Sequence, residues 1–437
     1  MGVKFLGGMH MSNNQLTESH EVKYVPKLRF TEFKNDDGWK LKKLSMFGKT
    51  VSGLTYSPND IRNEGLLVLR SSNVQDGKIS LEDCVFVDPN IKGANLTEEN
   101  DILICVRNGS TSLIGKNALI PKDMPLCTHG AFMTVFRSKN YQFVFQLLQT
   151  NLYKTQVAND LGARINSINT GNLLNYDFFV PSPFEQQKVA SCLSSLDELI
   201  QNESSKLEIY KQHKNGLLQR LFPRDGESVP TVRFEGFNGD WVESSSEKTF
   251  SRIKTKNLVG EKNVLTISAQ KGLISQEEYF NKSVSSKNVS GYYLIKKGEF
   301  AYNKSYSAGY PMGAIKKLSR YKQGVVSPLY ICFSVDDRII DSEFFQYYCD
   351  GGFLNSELGK IAQEGARNHG LLNIGLDDFF KNIIFKIPKK NEQEKIASCL
   401  TSLDEVISNQ NNYIEFLKEY KKGLMQQLFP VLEDVSA

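Results

Sequence analysis

Glu185-Gln-Gln-Lys-Val-Ala-Ser-Cys-Leu-Ser-Ser-Leu-Asp-Glu-Leu-Ile200 recurs in the same chain as Glu392-Gln-Glu-Lys-Ile-Ala-Ser-Cys-Leu-Thr-Ser-Leu-Asp-Glu-Val-Ile407. The copies stand 207 positions apart and keep that offset without a gap to Leu221-Phe-Pro223 and Leu428-Phe-Pro430. Lys211/Lys418, Gly216/Gly423 and Gln219/Gln426 match at the same spacing. A duplication of this kind governs the reading of everything around it.

Within the first copy, apolar residues fall at Val189, Leu193, Leu196, Ile200, Leu207, Tyr210, Leu217 and Leu221. Within the second they fall at Ile396, Leu400, Leu403, Ile407, Ile414, Leu417, Leu424 and Leu428. Steps of four and three alternate, and Glu203, Lys214, Gln410 and Lys421 fill the skipped positions. This is the a/d seam of a helix that packs knobs into holes on another helix, with polar seam residues suited to fixing register. Each helix opens soon after a proline (Pro183, Pro388) and closes at Pro223 or Pro430, where the ring removes a donor and clashes with the preceding turn. Roughly 36 residues at 1.5 Å each give a rod of about 54 Å. Two near-identical helices flanking dissimilar neighbours predict an antiparallel pair about a pseudo-twofold axis rather than two unrelated surface helices.

Working outward, each half opens on a shared phrase. Val25-Pro-Lys-Leu-Arg-Phe-Thr-Glu-Phe33 precedes Trp39, and Val229-Pro-Thr-Val-Arg-Phe-Glu-Gly-Phe237 precedes Trp241, the second of the two tryptophans. Gly162-Ala-Arg164 and Gly365-Ala-Arg367 form a weaker match ahead of Pro181 and Pro388. Between these signposts short apolar runs alternate with turn signals. In the first half the runs are Gly65–Arg70, Asp101–Val106, Ala118–Ile120 and Ala131–Phe136, followed by helical Tyr141–Asn151 and Lys154–Leu161. In the second they are Val264–Ser268, Glu299–Tyr302 and Leu329–Ser334, followed by helical Ser342–Asp350. The pattern predicts an α+β class with a twisted sheet in each half.

Two kinds of loop stand out. Arg107, Asn108 and Lys116 surround a Gly/Ser/Thr-rich turn after a strand, and Asn303, Lys304, Tyr306 and Tyr310 hold the equivalent place in the second half. Arg164, Asn166 and Asn169, and Arg367, Asn368, His369 and Asn373, follow the short helices. Arg70, Ser72, Asn73 and Lys271 join the candidates from neighbouring turns. Arginine forks onto guanine, asparagine onto adenine, and lysine meets phosphate, so these types in loops suit contact with duplex DNA. The competing account is that Asn, Gly and Ser populate any surface turn.

The 437 residues, 40% hydrophobic and 23% charged, suit a globular protein of two to three domains. A net charge of +4 permits a nucleic-acid partner without demanding one, so any binding charge must be local. Seven cysteines without a C-x-x-C spacing read as buried, inert thiols of a reduced intracellular protein. No apolar run reaches membrane-spanning length. Gly48-Lys-Thr50 resembles the end of a phosphate loop, but Lys43 stands where its first glycine belongs. No methyl-donor glycine motif, Asn/Asp-Pro-Pro-aromatic tetrapeptide or paired histidine ligand set is present. Catalytic residues, cofactor sites and metal sites are therefore expected to be absent.

The E-Q-x-K-(V/I)-A repeat, the G-x-R upstream of it, the V-P-x-(L/V)-R-F openings and the L-F-P exits together resemble the specificity subunits of Type I restriction–modification enzymes. The likeness runs from about Val25 to Pro430. It implies two α/β target recognition domains, at 24–182 and 225–388, separated by coiled-coil helical repeats at 183–224 and 389–431. A flexible segment, 1–23, and a tail, 432–437, would flank them. It also implies a cytoplasmic, non-catalytic, DNA-binding subunit that reads a bipartite asymmetric target. Its partners would be two adenine-N6 methyltransferase subunits and the ATP-dependent motor/nuclease subunits of a bacterial defence complex. S-adenosylmethionine, ATP and Mg2+ would belong to those partners. The readings set against this are a coiled-coil adaptor without a DNA role and a divergent methyltransferase or nuclease.

Overall fold

A computed structural model describes residues 24–163, 166–268, 271–280, 288–306, 309–362 and 372–430. The chain divides into two compact units, Met1–Asn202 with Ile414–Ala437, and Glu203–Tyr413. The division runs through both long helices, so each unit takes one end of each.

Unit 1 is centred on an antiparallel sheet ordered Lys49–Ser52, Met133–Arg137, Ile102–Cys105, Asn117–Leu119. The inner strand Ile102–Cys105 is buried along its whole length, which explains its unbroken apolar run. Gly48 and Gly53 bracket the first strand, and a Cβ there would meet the backbone oxygens of Arg137 and Gly130. The Gly48-Lys-Thr50 phrase is thus the start of a sheet strand, with Thr50 paired to Phe136. A second sheet runs Cys127–His129, Leu66–Leu69, Phe86–Val87, Ile61–Arg62. A two-stranded ladder, Lys40–Lys43 with Asp177–Val180, brings the beginning and end of the first half together.

Unit 2 repeats the central sheet in the same order: Phe250–Arg252, Ile331–Val335, Phe300–Asn303, Ala314–Lys317. It repeats the closing ladder too, as Val242–Ser245 with Ile384–Ile387. The second sheet is where the halves part. Unit 2 has two separate ladders instead, Leu265–Ser268 with Gly272–Ser275 and Tyr293–Lys296 with Gln323–Val326. Both units mix sheet and helix, so the α+β class is met.

The long helices span Pro183–Leu221 and Lys390–Leu428, and both ends keep the 207-residue offset. In unit 1, Val189, Ala190 and Leu193 share a core with Met425, Leu428 and Phe429. In unit 2, Leu218, Leu221 and Phe222 share a core with Ile396, Ala397 and Leu400. In each unit the two helix segments therefore run antiparallel. Lys421 Nζ meets Asp197 at 2.6 Å in unit 1, and its copy Lys214 meets Asp404 at 2.6 Å in unit 2. At the equivalent position of the two copies, Gln410 Nε2 donates to Glu203 Oε2 at 2.6 Å, also in unit 2. The polar seam residues thus pair across the helices, as a register device would.

The shared opening and helix phrases meet at one joint, built twice. Arg29 Nε and Nη2 donate to the Glu185 carboxylate at 2.8 and 2.7 Å, and Trp39 Nε1 reaches it at 3.2 Å. Arg233 forks onto Glu392 at 2.8 Å through both nitrogens. The Glu185 hydrogen bond raises the Arg29 guanidinium further above its ordinary value, against the opposing effect of burial. Beside each carboxylate, Gln186 Nε2 donates to Pro181 O and Gln393 Nε2 to Pro388 O, both at 2.9 Å. The R-F, E-Q and proline signposts are therefore one interlocking corner.

Among the cysteines, Cys105, Cys127 and Cys332 are buried, but Cys84, Cys192, Cys349 and Cys399 are only partly so, which corrects the expectation that all would be interior. Burial pushes the Cys105 thiol up to about 11 and the Cys332 thiol up to about 12. Among the described residues, no helix is long and apolar enough to cross a membrane.

Candidate nucleic-acid interface

In unit 1 the candidate residues gather where the buried strand Ile102–Cys105 ends. Val106 N and Arg107 N both donate to Phe132 O at 3.0 Å, and Ile168 N donates to Val106 O at 2.8 Å. Arg107 also bridges Ser167, so the loop after the strand and the segment after the helix Asn151–Ala163 lie side by side. Arg107 is exposed, with its guanidinium carbon 5.8 Å from the Phe132 ring centroid. A cation resting on an aromatic face keeps its donors outward while losing rotamer freedom in advance. Asn108 Nδ2 donates to Ser71 Oγ at 2.8 Å, which draws the Ser71–Asn73 turn into the same edge.

The individual residues separate by how far their polar groups are already used. Asn166 adopts a left-handed φ of 57°, and Asn169 caps the short helix Thr170–Leu174 by accepting from Gly171 N at 2.7 Å. Lys116 and Ser72 are exposed. Arg70 pairs with Asp83 at 2.7 Å, and hydrogen bonds from Ser72 and Arg70 hold the Asp83 carboxyl below its usual range. Asn73 does not belong among direct contacts. It is fully buried, its Nδ2 donates to Ser80 O and Asp83 O at 2.9 and 3.0 Å, and its Oδ1 accepts from Arg70 N at 2.8 Å. It shapes the turn instead.

Unit 2 has the same construction. Asn303 ends the strand Phe300–Asn303, and its Oδ1 accepts from Ser305 N at 3.1 Å. Leu372 N donates to Lys304 O at 3.0 Å, so the post-strand loop and the post-helix segment again run together, with Asn373 next in line. A cavity of about 210 Å3 beside Lys304 is lined by Arg252, Tyr293, Tyr330 and Leu372 among others. Tyr306 is well exposed. Tyr310 is held by Lys316, whose Nζ donates to the phenol at 3.5 Å and to Asp350 Oδ1 at 2.6 Å. Burial opposes the Lys316 charge, but Asp350 and Tyr310 outweigh it and raise the ammonium above its ordinary value. Lys271 is exposed in the turn between Leu265–Ser268 and Gly272–Ser275, a separate element. Arg164, Arg367, Asn368 and His369 lie outside the described residues.

Sequence reasoning missed several participants. Phe132 was expected inside a strand, but pairing starts at Met133 and leaves Phe132 as the platform under Arg107. Arg252 ends the strand Phe250–Arg252 and Tyr330 precedes Ile331–Val335, so neither carries a loop signature. Asp350 was read as a helix end, and its pairing with Lys316 spans 34 positions. Only the alternation of an aromatic with small residues at Gly130-Ala-Phe132 hinted at a displayed ring.

The profile of the "Type I restriction modification DNA specificity domain" matches residues 36–210. The StySPI specificity subunit of Salmonella potsdam, a Type I restriction enzyme subunit, is 27% identical over 182 residues, 39% of each chain. The EcoKI specificity subunit of Escherichia coli K12 is 30% identical over 180 residues, 39% of this chain and 38% of that one. The matched stretch thus spans about two fifths of the length of these curated relatives. The crystal structure of a Type-I restriction-modification S subunit from M. genitalium superposes with a TM-score of 0.56 at 15% identity. It covers 93% of this chain and 99% of its own, a likeness of fold. The fold and the repeated edge define a chain of two units with the same central sheet; residues 36–210 carry the likeness to the Type I restriction modification DNA specificity domain, and over the whole chain the likeness is one of fold.

Proposed function

We propose that this chain is the non-catalytic, sequence-reading subunit of a Type I restriction–modification complex. Unit 1 and unit 2 each read one half of a split, asymmetric DNA target. The observation that carries this reading is one sheet edge built twice with different side chains. Arg107 over Phe132 with Asn108 stands in unit 1, and Asn303, Lys304, Tyr306 and Tyr310 stand in unit 2. A shared scaffold with unlike display suits two half-sites of unlike sequence.

In this reading the long helices fix the spacing of the half-sites and receive two methyltransferase subunits, which carry S-adenosylmethionine and methylate adenine N6. The motor/nuclease subunits bring ATP and Mg2+. The complex acts in the cytoplasm on duplex DNA. Exposed Arg107 and Lys116, with half-buried Lys304, approach base edges and phosphates, and Asn73 and Asn169 set loop shape.

The test is single-molecule sequencing of genomic DNA from a methylation-deficient host expressing this chain with its methyltransferase partner. The expected result is a new split motif with N6-methyladenine in each half, absent when the methyltransferase is expressed alone. Soluble, associated proteins that produce no new motif would overturn the proposal.

A further inference from the structure

The chain leaves the strand Phe250–Arg252 at the same edge of the sheet where it leaves Asn303. Both strands flank Ile331–Val335, Arg252 pairing with Phe333 and Tyr302 with Ile331. The residues that follow, Arg252-Ile-Lys-Thr-Lys-Asn-Leu-Val-Gly-Glu-Lys262, hold four basic side chains against one acidic. At the tip stand Leu258, 88% exposed, and Val259, 70% exposed. Two neighbouring aliphatic side chains this open on a basic loop are not the usual scatter of surface apolar residues.

The turn is stapled so that the tip cannot fold back. Asn257 is 3% exposed; its Nδ2 donates to Glu261 O at 2.8 Å and its Oδ1 accepts from Glu261 N at 2.8 Å. Asn257 N donates to Tyr292 O at 3.1 Å, which fixes the turn to the neighbouring ladder. Gly260 closes it at a left-handed φ of 71°. The one carboxylate is engaged by hydrogen bonds within the loop and its neighbour. Glu261 accepts from Lys262 N and Asn263 N at 2.9 Å and from Gln323 Nε2 at 2.7 Å, and these bonds, the Asn263 amide first, hold it below its usual range. Lys256 is tied to Gly291 O at 2.7 Å, over the Tyr293 ring, while Arg252, Lys254 and Lys262 are exposed around the tip.

We propose that the Asn257–Gly260 turn is a DNA wedge: Leu258 and Val259 enter a groove of the duplex at the half-site read by unit 2 and press against or between base pairs, while Arg252, Lys254 and Lys262 hold the flanking phosphates. Basic residues beside an apolar point are the chemistry by which proteins unstack a base step and bend DNA, and the phosphate contacts supply the salt-dependent part of the binding. The wedge is one-sided. At the corresponding exit from Lys49–Ser52, Leu54 is 2% exposed with its N–H bonded to His129 O at 2.7 Å, and Ser52–Arg62 holds one basic residue, Arg62, whose Nη1 donates to Asn59 O and Ile61 O at 2.8 and 3.0 Å. The proposal rests on the reading of the chain as a DNA reader.

The test uses the full chain assembled with its methyltransferase partner and a duplex oligonucleotide carrying the motif found by sequencing. 2-Aminopurine is placed in turn at each step of either half-site. Apart from the target adenine that the methyltransferase itself extrudes in each half-site, the unaltered complex should raise fluorescence at one further step, in the unit 2 half-site alone. Leu258→Ser/Val259→Ser should abolish that rise and weaken binding roughly tenfold or more, with the slope of affinity against salt preserved. Lys254→Ala/Lys262→Ala should instead lower the slope by about 1 per lysine. Both sites are exposed, so thermal melting should be unchanged. Unaltered fluorescence and affinity in the Leu258/Val259 variant would overturn the wedge while leaving the two-reader function standing. Loss of binding to phosphatidylglycerol–phosphatidylcholine vesicles, with DNA binding intact, would overturn it in favour of a membrane contact. No motif-specific binding by the unaltered complex would overturn the function and the wedge together.

Discussion

Glu185→Ala tests the corner that closes unit 1. The substitution leaves the Arg29 guanidinium, whose side chain is only 5% exposed, without its carboxylate and with only the Asp36 and Asp37 carbonyl oxygens as acceptors, and it removes the acceptor of Trp39 Nε1. Breaking a buried pair by deleting one partner costs about 3–5 kcal/mol, because the remaining charge stays desolvated. For a unit of about 200 residues, each kcal/mol moves the melting temperature by about 2–4 °C, so a fall of about 6–20 °C is expected. Glu392→Ala should cost less, by about 1 kcal/mol, the worth of one hydrogen bond. Its Arg233 partner is 15% exposed, and no bond to Trp241 is lost. The assay is calorimetry of the full chain, with hydrogen exchange showing which unit opens. Glu32→Ala, which breaks the open Lys188–Glu32 pair at 3.0 Å, serves as control and should leave melting unchanged. A Glu185→Ala loss below about 1 kcal/mol, or an opening confined to unit 2, would refute the reasoning.

Arg107→Ala should weaken motif-specific binding by about 1–3 kcal/mol and relax methylation at one half-site only; Phe132→Ser should do the same more weakly, by releasing Arg107 from its platform, and methylome sequencing reads both. Gly313→Ala should loosen the edge of unit 2. Gly313 has a φ of 74° and a Cβ there would lie 2.3 Å from Asn303 O, so a cost of about 1–3 kcal/mol is expected in melting. The raised thiols at Cys105 and Cys332 hold too little thiolate near neutral pH to react, so iodoacetamide should label them only after unfolding, as peptide mapping would show.

The long helices were legible because a seven-residue apolar period and a repeated phrase act locally, and the bounding prolines set their ends. The division into units was not legible. It depends on which distant segment fills a core, as when Phe429 packs edge-on to Trp39 at 5.7 Å. Equivalent loops were found by the order of strands, and the shared sheet order supports that equivalence, although the second sheet differs between units. Asn73 misled for a physical reason: an asparagine that organises a turn and one that reads a base share the same composition signal, and only burial separates them. Arg252–Lys262 escaped notice because it follows a strand of only three residues, and its display depends on the staple at Asn257.

Unit 1 has a consequence for how the protein is made. Its core is finished by Met425, Leu428 and Phe429, and Leu28 N donates to Gln427 O at 2.9 Å. A ribosome releases those residues only after the whole of Glu203–Tyr413, so unit 1 must wait, partly open, until unit 2 has been made and the helix Lys390–Leu428 emerges. Premature stops in the helix Lys390–Leu428 should therefore damage unit 1, and chaperones should be found on nascent chains in which unit 2 is already made.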